Sequence, residues 1–243
     1  MDMIFNLARL LGAVVTTFAA LLVAPFPTAA AQACPDVQLV FARGTGEPPG
    51  VGGVGEAFVD AVRAQAAPRS VDVYPVNYEA SGDFANRFVF AQSILNGIGD
   101  ANTRVEATAA NCPETKIVLG GFSQGAVVAG AVTMADLPDQ VPAEFRSFVP
   151  NPVPPQVANN VAAVTLLGTP SPRFMSDLGA PPLTIGPPYT DKTIQLCAQG
   201  DTICDGTPLG PPSIAHTLYG ENGMVGQEAA FAVGRLASQT RSP

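Results

Sequence analysis

Ser123 sits in the run Gly121-Phe122-Ser123-Gln124-Gly125, and His216 is the only histidine of the chain. A serine hydroxyl attacks a carbonyl once a base takes its proton, and imidazole does this best near neutral pH. Serine-based chemistry here therefore has one candidate base. A third group must hold the imidazole tautomer and stabilise the imidazolium, which is the task of an orienting carboxylate. Asp191, Asp201 and Asp205 lie between the serine and the histidine. Asp201 falls inside the loop that Cys197 and Cys204 would close, where its carboxylate would be held in place. Asp205 falls just outside it. Asp201 is the expected acid, with Asp205 as the alternative.

The residues around Ser123 fit a sharp strand-to-helix turn. Lys116-Ile117-Val118-Leu119 supplies the strand, Gly120 and Gly121 the room, and Gly125-Ala126-Val127-Val128-Ala129 the start of a helix. Such a turn strains the serine backbone, exposes Oγ and aims a helix N-terminus at the reaction centre, where negative charge is favoured. A tetrahedral intermediate needs two or more donors at its oxygen. One is the backbone N–H of Gln124, directly after the serine. The second is sought in Arg43-Gly44-Thr45-Gly46, where Thr45 is either a donor through N–H and hydroxyl or an ordinary turn residue.

The amino terminus reads as an export signal. Arg9 precedes an apolar run from Leu10 to Val23, followed by Pro25, Pro27 and small residues up to Ala33. A basic flank, a short apolar stretch and an A-x-A site describe a secretory signal peptide, cleaved after Ala31 or Ala33. The run of about 14 residues is short for a bilayer span, which takes roughly 20. Removing residues 1–33 leaves one domain, 34–243, of a length that supports a full core. Four cysteines in an exported chain read as two disulfides with three possible pairings. If Cys197 and Cys204 close a tight loop, Cys34 meets Cys112. No C-x-x-C pair exists and one histidine cannot complete a His-rich site, so neither a metal nor another cofactor is expected. A net charge of −8 argues against nucleic acid and anionic membranes as partners.

Strand-like and helix-like segments alternate. Strands are expected at Val37–Phe41, Val71–Tyr78, Ile117–Leu119, Val161–Leu167 and Thr193–Leu196. Helices are expected at Glu56–Ala66, Gly125–Met134 and Met224–Ala237, with one or two more between Asp83 and Ala110, broken near Gly97 and Gly99. His216 reads as a loop residue, and Ala135–Gln156 as a Pro-rich surface excursion. This alternation implies an α/β fold with a mostly parallel central sheet flanked by helices. Right-handed crossovers then gather the loops after Phe41, Leu119 and Leu196 along one edge.

Three groups of residues carry a resemblance. They are Cys34-Pro35 with Phe41-Ala42-Arg43-Gly44-Thr45, the elbow Gly121 to Ala126, and Cys197 through Gly200-Asp201 to Cys204 followed by His216. Together they resemble the cutinase family, in particular the secreted cutinase-like esterases of mycobacteria and related actinobacteria, over essentially the whole mature chain. The resemblance implies a compact, lidless α/β-hydrolase with Ser123, Asp201 and His216 as triad. It also implies an oxyanion hole from Thr45 and Gln124, and disulfides Cys34–Cys112 and Cys197–Cys204. Fungal members carry serine where this chain has Thr45, and the Asp139–Pro150 stretch looks longer than usual for the family.

The expected activity is hydrolysis of carboxylic esters of short or medium acyl chains, with lipid or polyester as further substrates. Lipase, phospholipase and acyl-transfer activities would use the same triad. The rival from another class is a secreted interaction protein with a weak site. The expected protein is a monomer that touches a lipid interface only transiently. Phe84–Leu95, with Phe88, Val89, Phe90 and Ile94, and the Leu209–Ile214 loop are expected to line the acyl crevice.

Overall fold

Five short apolar segments become the five strands of one parallel sheet. A computed structural model describes residues 33–238 apart from 138, 140 and 142. The expected signal segment, residues 1–32 up to its cleavage region, lies outside the described residues. The strands are β1 (Val37–Ala42), β2 (Val71–Pro75), β3 (Lys116–Phe122), β4 (Val161–Leu167) and β5 (Thr193–Leu196), in the order β2-β1-β3-β4-β5. Every pairing is parallel, as run-on apolar strands covered on both faces require.

The principal helices are α1 (Gly52–Ala66), α2 (Arg87–Asn111), α3 (Gln124–Val132) and, after three short turns, α7 (Met224–Ser238). The short ones are α4 (Ala143–Arg146), α5 (Pro172–Asp177) and α6 (Ile214–Thr217). Alternation along β1 divides the interior into two cores. Val40 and Ala42 face α2 and α3, while Val37, Leu39 and Phe41 face α1 and α7. Cys34–Cys112 ties the approach to β1 to the end of α2, with Cα atoms 5.6 Å apart.

Three local expectations are corrected. The region from Asp83 to Ala110 yields one unbroken helix beginning at Arg87. Gly97 serves close approach there, since a Cβ would press on the Tyr78 ring and on Val128 of α3. The strand expected up to Tyr78 ends at Pro75, because Arg43 takes the carbonyl oxygens of Val76 and Tyr78 as hydrogen-bond acceptors. His216 stands on the helical turn α6 and not in an irregular loop.

The register sets the functional edge. Ala42 pairs with Gly121, Gly121 with Leu166 and Leu166 with Gln195, so four strands end level. The loops that leave them meet at that edge.

One buried acid lies near that edge, against the Leu166 backbone and within electrostatic reach of Tyr219. Glu228 on α7 is fully buried, and neither carboxyl oxygen has a well-formed hydrogen bond. Burial pushes its carboxyl well above the usual range, and the poorly aligned Leu166 backbone offsets only part of this. The folded chain thus keeps this proton to a higher pH than the unfolded chain. Stability falls as pH rises from the unfolded carboxyl value of about 4.3 towards the folded one. Glu228→Gln removes the loss. Its Tm advantage is absent near about pH 4 and grows through neutrality, by about 2–4 °C for each kcal/mol regained. Thermal melts of both proteins across that range test this, and a difference independent of pH contradicts it.

Candidate active site

The strand-to-helix turn at Ser123 has the strain its sequence requires. Ser123 adopts φ 55° and ψ −117°, a left-handed conformation that costs a non-glycine residue on the order of 1–3 kcal/mol. Glycine is obligatory on both sides. A Cβ on Gly121 would strike the Gly125 carbonyl, and a Cβ on Gly125 would strike the Ala42 carbonyl. That second contact brings the end of β1 against the start of α3. Ser123 donates its own N–H to Leu167 O at 2.9 Å, which fixes the turn to the end of β4.

Ser123, His216 and Asp201 come together as a continuous line. His216 Nε2 lies 2.8 Å from Ser123 Oγ, and His216 Nδ1 lies 2.9 Å from each Asp201 oxygen. Asp201 is fully buried. Burial alone would push its carboxyl up, but hydrogen bonds from His216, Tyr219 and the Ile203 N–H outweigh this and hold it below the usual range. The expected alternative, Asp205, is directed elsewhere and accepts from Thr207 N at 2.9 Å. Asp191, the third carboxylate considered, offers its backbone carbonyl to Arg235.

Tyr219 was not singled out by sequence. It is fully buried, donates its hydroxyl to Asp201 Oδ2 at 2.7 Å and accepts from Ala198 N at 2.8 Å. Burial pushes its phenol well above the ordinary tyrosine value, so it remains a donor. It lies in the turn just after α6, three residues past His216, and no sequence pattern marks it. The Phe122 ring stacks on His216 with centroids 4.9 Å apart, shielding the other side of the imidazole.

The segment carrying acid and base is closed on itself. Cys197–Cys204 brackets Asp201 with Cα atoms 5.8 Å apart. Ser213 Oγ donates to Gly200 O at 2.7 Å, Ser213 N to Thr202 Oγ1 at 3.0 Å, and Thr202 Oγ1 to Pro211 O at 3.0 Å. Cys197, Asp201 and Cys204 have the spacing of metal ligands, but the two sulfurs are bonded to each other and offer no thiolate.

The two expected oxyanion donors occupy adjoining backbone. The Gln124 N–H is the first of α3 and has no acceptor within the helix. The Gln124 side chain donates to Ser81 O at 3.0 Å. Thr45 lies in the turn after β1, whose Gly46 N–H donates to Ala80 O at 2.7 Å, so both candidates brace on residues 80–81. Glu47 fixes the same turn by accepting from Gly44 N at 2.6 Å and Gly53 N at 2.8 Å. Arg43, buried beneath it, donates Nε to Glu47 O at 2.8 Å.

The expected acyl crevice divides. Phe84, Phe90, Ile94 and Leu95 line an apolar cavity behind α3. Phe88 and Val89 point outward, as do Leu209 and Ile214 of the second expected wall. Different faces of α2 separate Phe90, Ile94 and Leu95 from Phe88 and Val89, while Phe84 precedes the helix and is itself half exposed. The Leu209–Ile214 loop stays outside because it is drawn towards residues 200–202.

The sequence matches the cutinase family over residues 33–236. A probable carboxylesterase of Mycobacterium tuberculosis, Culp5, is 51% identical over 181 residues, 74% of this chain and 96% of its own length. The carboxylesterase Culp1 of the same organism is 45% identical over 235 residues, 95% of this chain and 96% of its own. A cutinase of Trichoderma reesei, solved with a phosphonate inhibitor, superposes with a TM-score of 0.60 at 27% identity, covering 84% of this chain and 77% of that one. The match spans nearly every described element, and the chain belongs to the cutinase family of carboxylic ester hydrolases.

Proposed function

We propose that this protein is an exported serine esterase in which Ser123 is the nucleophile, His216 the general base and acid, and Asp201 the orienting carboxylate. One observation carries the reading: the unbroken line from Ser123 Oγ through both imidazole nitrogens to Asp201, at 2.8 and 2.9 Å. The carboxylate fixes the proton on Nδ1, so Nε2 is free to accept the serine proton. Oγ attacks the ester carbonyl, and the oxyanion is received by the Gln124 N–H with Thr45. His216 returns the proton to the departing alcohol, then activates the water that hydrolyses the acyl-enzyme. Tyr219 is a positioning residue that acts through Asp201.

A fluorophosphonate probe tests the reading, because it reacts with an activated serine and not with ordinary hydroxyls. The oxidised, folded protein is expected to label at one site, and Ser123→Ala to abolish both labelling and ester turnover. No labelling of the parent protein overturns the esterase reading. Labelling that survives Ser123→Ala assigns the nucleophile elsewhere.

A further inference from the structure

The backbone from Tyr78 to Gly82 runs between the two candidate oxyanion donors and touches the segment that carries each. On the Thr45 side, the Tyr78 hydroxyl donates to Arg43 O at 2.5 Å, and Ala80 O accepts from Gly46 N at 2.7 Å. Gly82 comes so close to Thr45 that a Cβ there would stand 3.3 Å from the threonine methyl. On the other side, Ser81 O accepts from the buried side chain of Gln124, through Nε2 at 3.0 Å. The placement of the Thr45 turn relative to the Gln124 N–H therefore depends in part on how this strap is held.

One peptide unit of the strap has anchors at both ends. The Ala80 carbonyl and the Ser81 N–H share a plane and point in opposite directions, as a trans peptide requires. The carbonyl holds Gly46 N, and the N–H donates to Ser93 Oγ at 3.0 Å. Ser93 stands on α2, twelve residues further along the chain, and is buried. Serine is a poorer choice than alanine for a helix interior, so its hydroxyl at this position calls for a use. Ala80 is also buried and has φ 51°, a left-handed conformation that is unfavourable for a residue with a Cβ. Such a residue keeps its conformation only while its surroundings hold the adjoining backbone. Without the Ser93 oxygen, the Ser81 N–H is left as a donor with no acceptor. Ala80 can then relax by reorienting the backbone around it, which takes its carbonyl away from Gly46.

We propose that Ser93 is a positioning residue for ester hydrolysis. By accepting from Ser81 N it holds the Ala80–Ser81 peptide, and through Gly46 the Thr45 turn, in the pose that receives the oxyanion. The inference rests on the triad and the oxyanion donors proposed above, and adds a residue that does not itself touch substrate. A misplacement of about 1 Å in a reacting constellation costs on the order of 100-fold in rate. Donors aimed at the oxyanion act on the transition state, so the loss belongs to kcat and not to KM.

The test measures kcat and KM for p-nitrophenyl butyrate and for its thiono analogue, in which a weakly accepting sulfur replaces the carbonyl oxygen. The parent protein is compared with Ser93→Ala and Ser93→Cys, each checked for folding by near-ultraviolet circular dichroism, and with Ser123→Ala. Ser93→Ala is expected to lose about 10- to 100-fold in kcat on the oxygen ester, with KM within about twofold. The thiono rate should fall by less than about threefold, so the preference for oxygen over sulfur shrinks. Ser93→Cys keeps the side-chain shape but offers a poor acceptor, and should show the same pattern. It decides the matter if the alanine variant does not fold. An unchanged preference for oxygen, an equal loss on both esters, or a change in KM alone overturns the proposal. Turnover that survives Ser123→Ala sinks the triad and this proposal together. An inactive Ser123→Ala beside fully active Ser93 variants sinks this proposal alone.

Discussion

Ester hydrolysis by His216→Ala is expected to fall by about 10⁴- to 10⁶-fold in kcat. The size follows from the composition. His216 is the only histidine, so no second imidazole can be recruited, and no other base stands within hydrogen-bond reach of Ser123 Oγ among the described contacts. The residual rate then reflects binding and the oxyanion donors alone. Steady-state kinetics with a butyrate ester measure the loss, and added imidazole should restore part of it by entering the space against Phe122. A variant retaining a tenth of the parent rate would exclude a single-base mechanism.

Asp201→Asn is expected to cost about 10⁴-fold in kcat with KM nearly unchanged. An amide in this position can turn its NH₂ towards Nδ1. That places the imidazole proton on Nε2, where it faces Ser123 and cannot accept from it. The hydroxyl of Tyr219 favours this outcome, because it already donates to one carboxyl oxygen and would keep the amide oxygen on its own side. The variant should recover rate at high pH, where hydroxide assists the serine, more steeply than the parent. A loss of less than about tenfold would show that the orientation of the imidazole comes from the Phe122 and Tyr219 rings instead.

The parts of this site that were legible in the sequence are those set by short-range constraint. Gly121 and Gly125 announce the turn by their spacing about the serine; a Cβ on Gly121 collides with the Gly125 carbonyl four residues on, while Gly125 also makes room for Ala42 at the end of β1. Asp201 stands out because two cysteines seven positions apart enclose it. The apolar runs of β1, β3 and β4 mark strands because they are buried along nearly their whole length, and the half-buried edge runs of β2 and β5 show no competing helical period. What was not legible depends on contacts distant along the chain. Gly97 looks like a helix break until Tyr78 and Val128 are seen to need its missing side chain. Phe88 and Phe90 are equally apolar, yet one faces solvent and the other the cavity, which only the pose of α2 on α3 determines. The stretch from residue 134 to 152 carries no periodic signal, and α4 within it is a single turn too short to announce itself.

The closed segment from Cys197 to His216 has a mechanical consequence. Acid and base ride on one covalently and hydrogen-bonded body, whereas the nucleophile belongs to the sheet. Thermal motion of that body cannot pull the imidazole from its carboxylate without breaking the stitches between residues 200–202 and 211–213. It can, however, vary the distance to Ser123 as a single coordinate. On the proposed mechanism the working parts thus reduce to two pieces with one gap, and the proton passes from Ser123 to His216 across it.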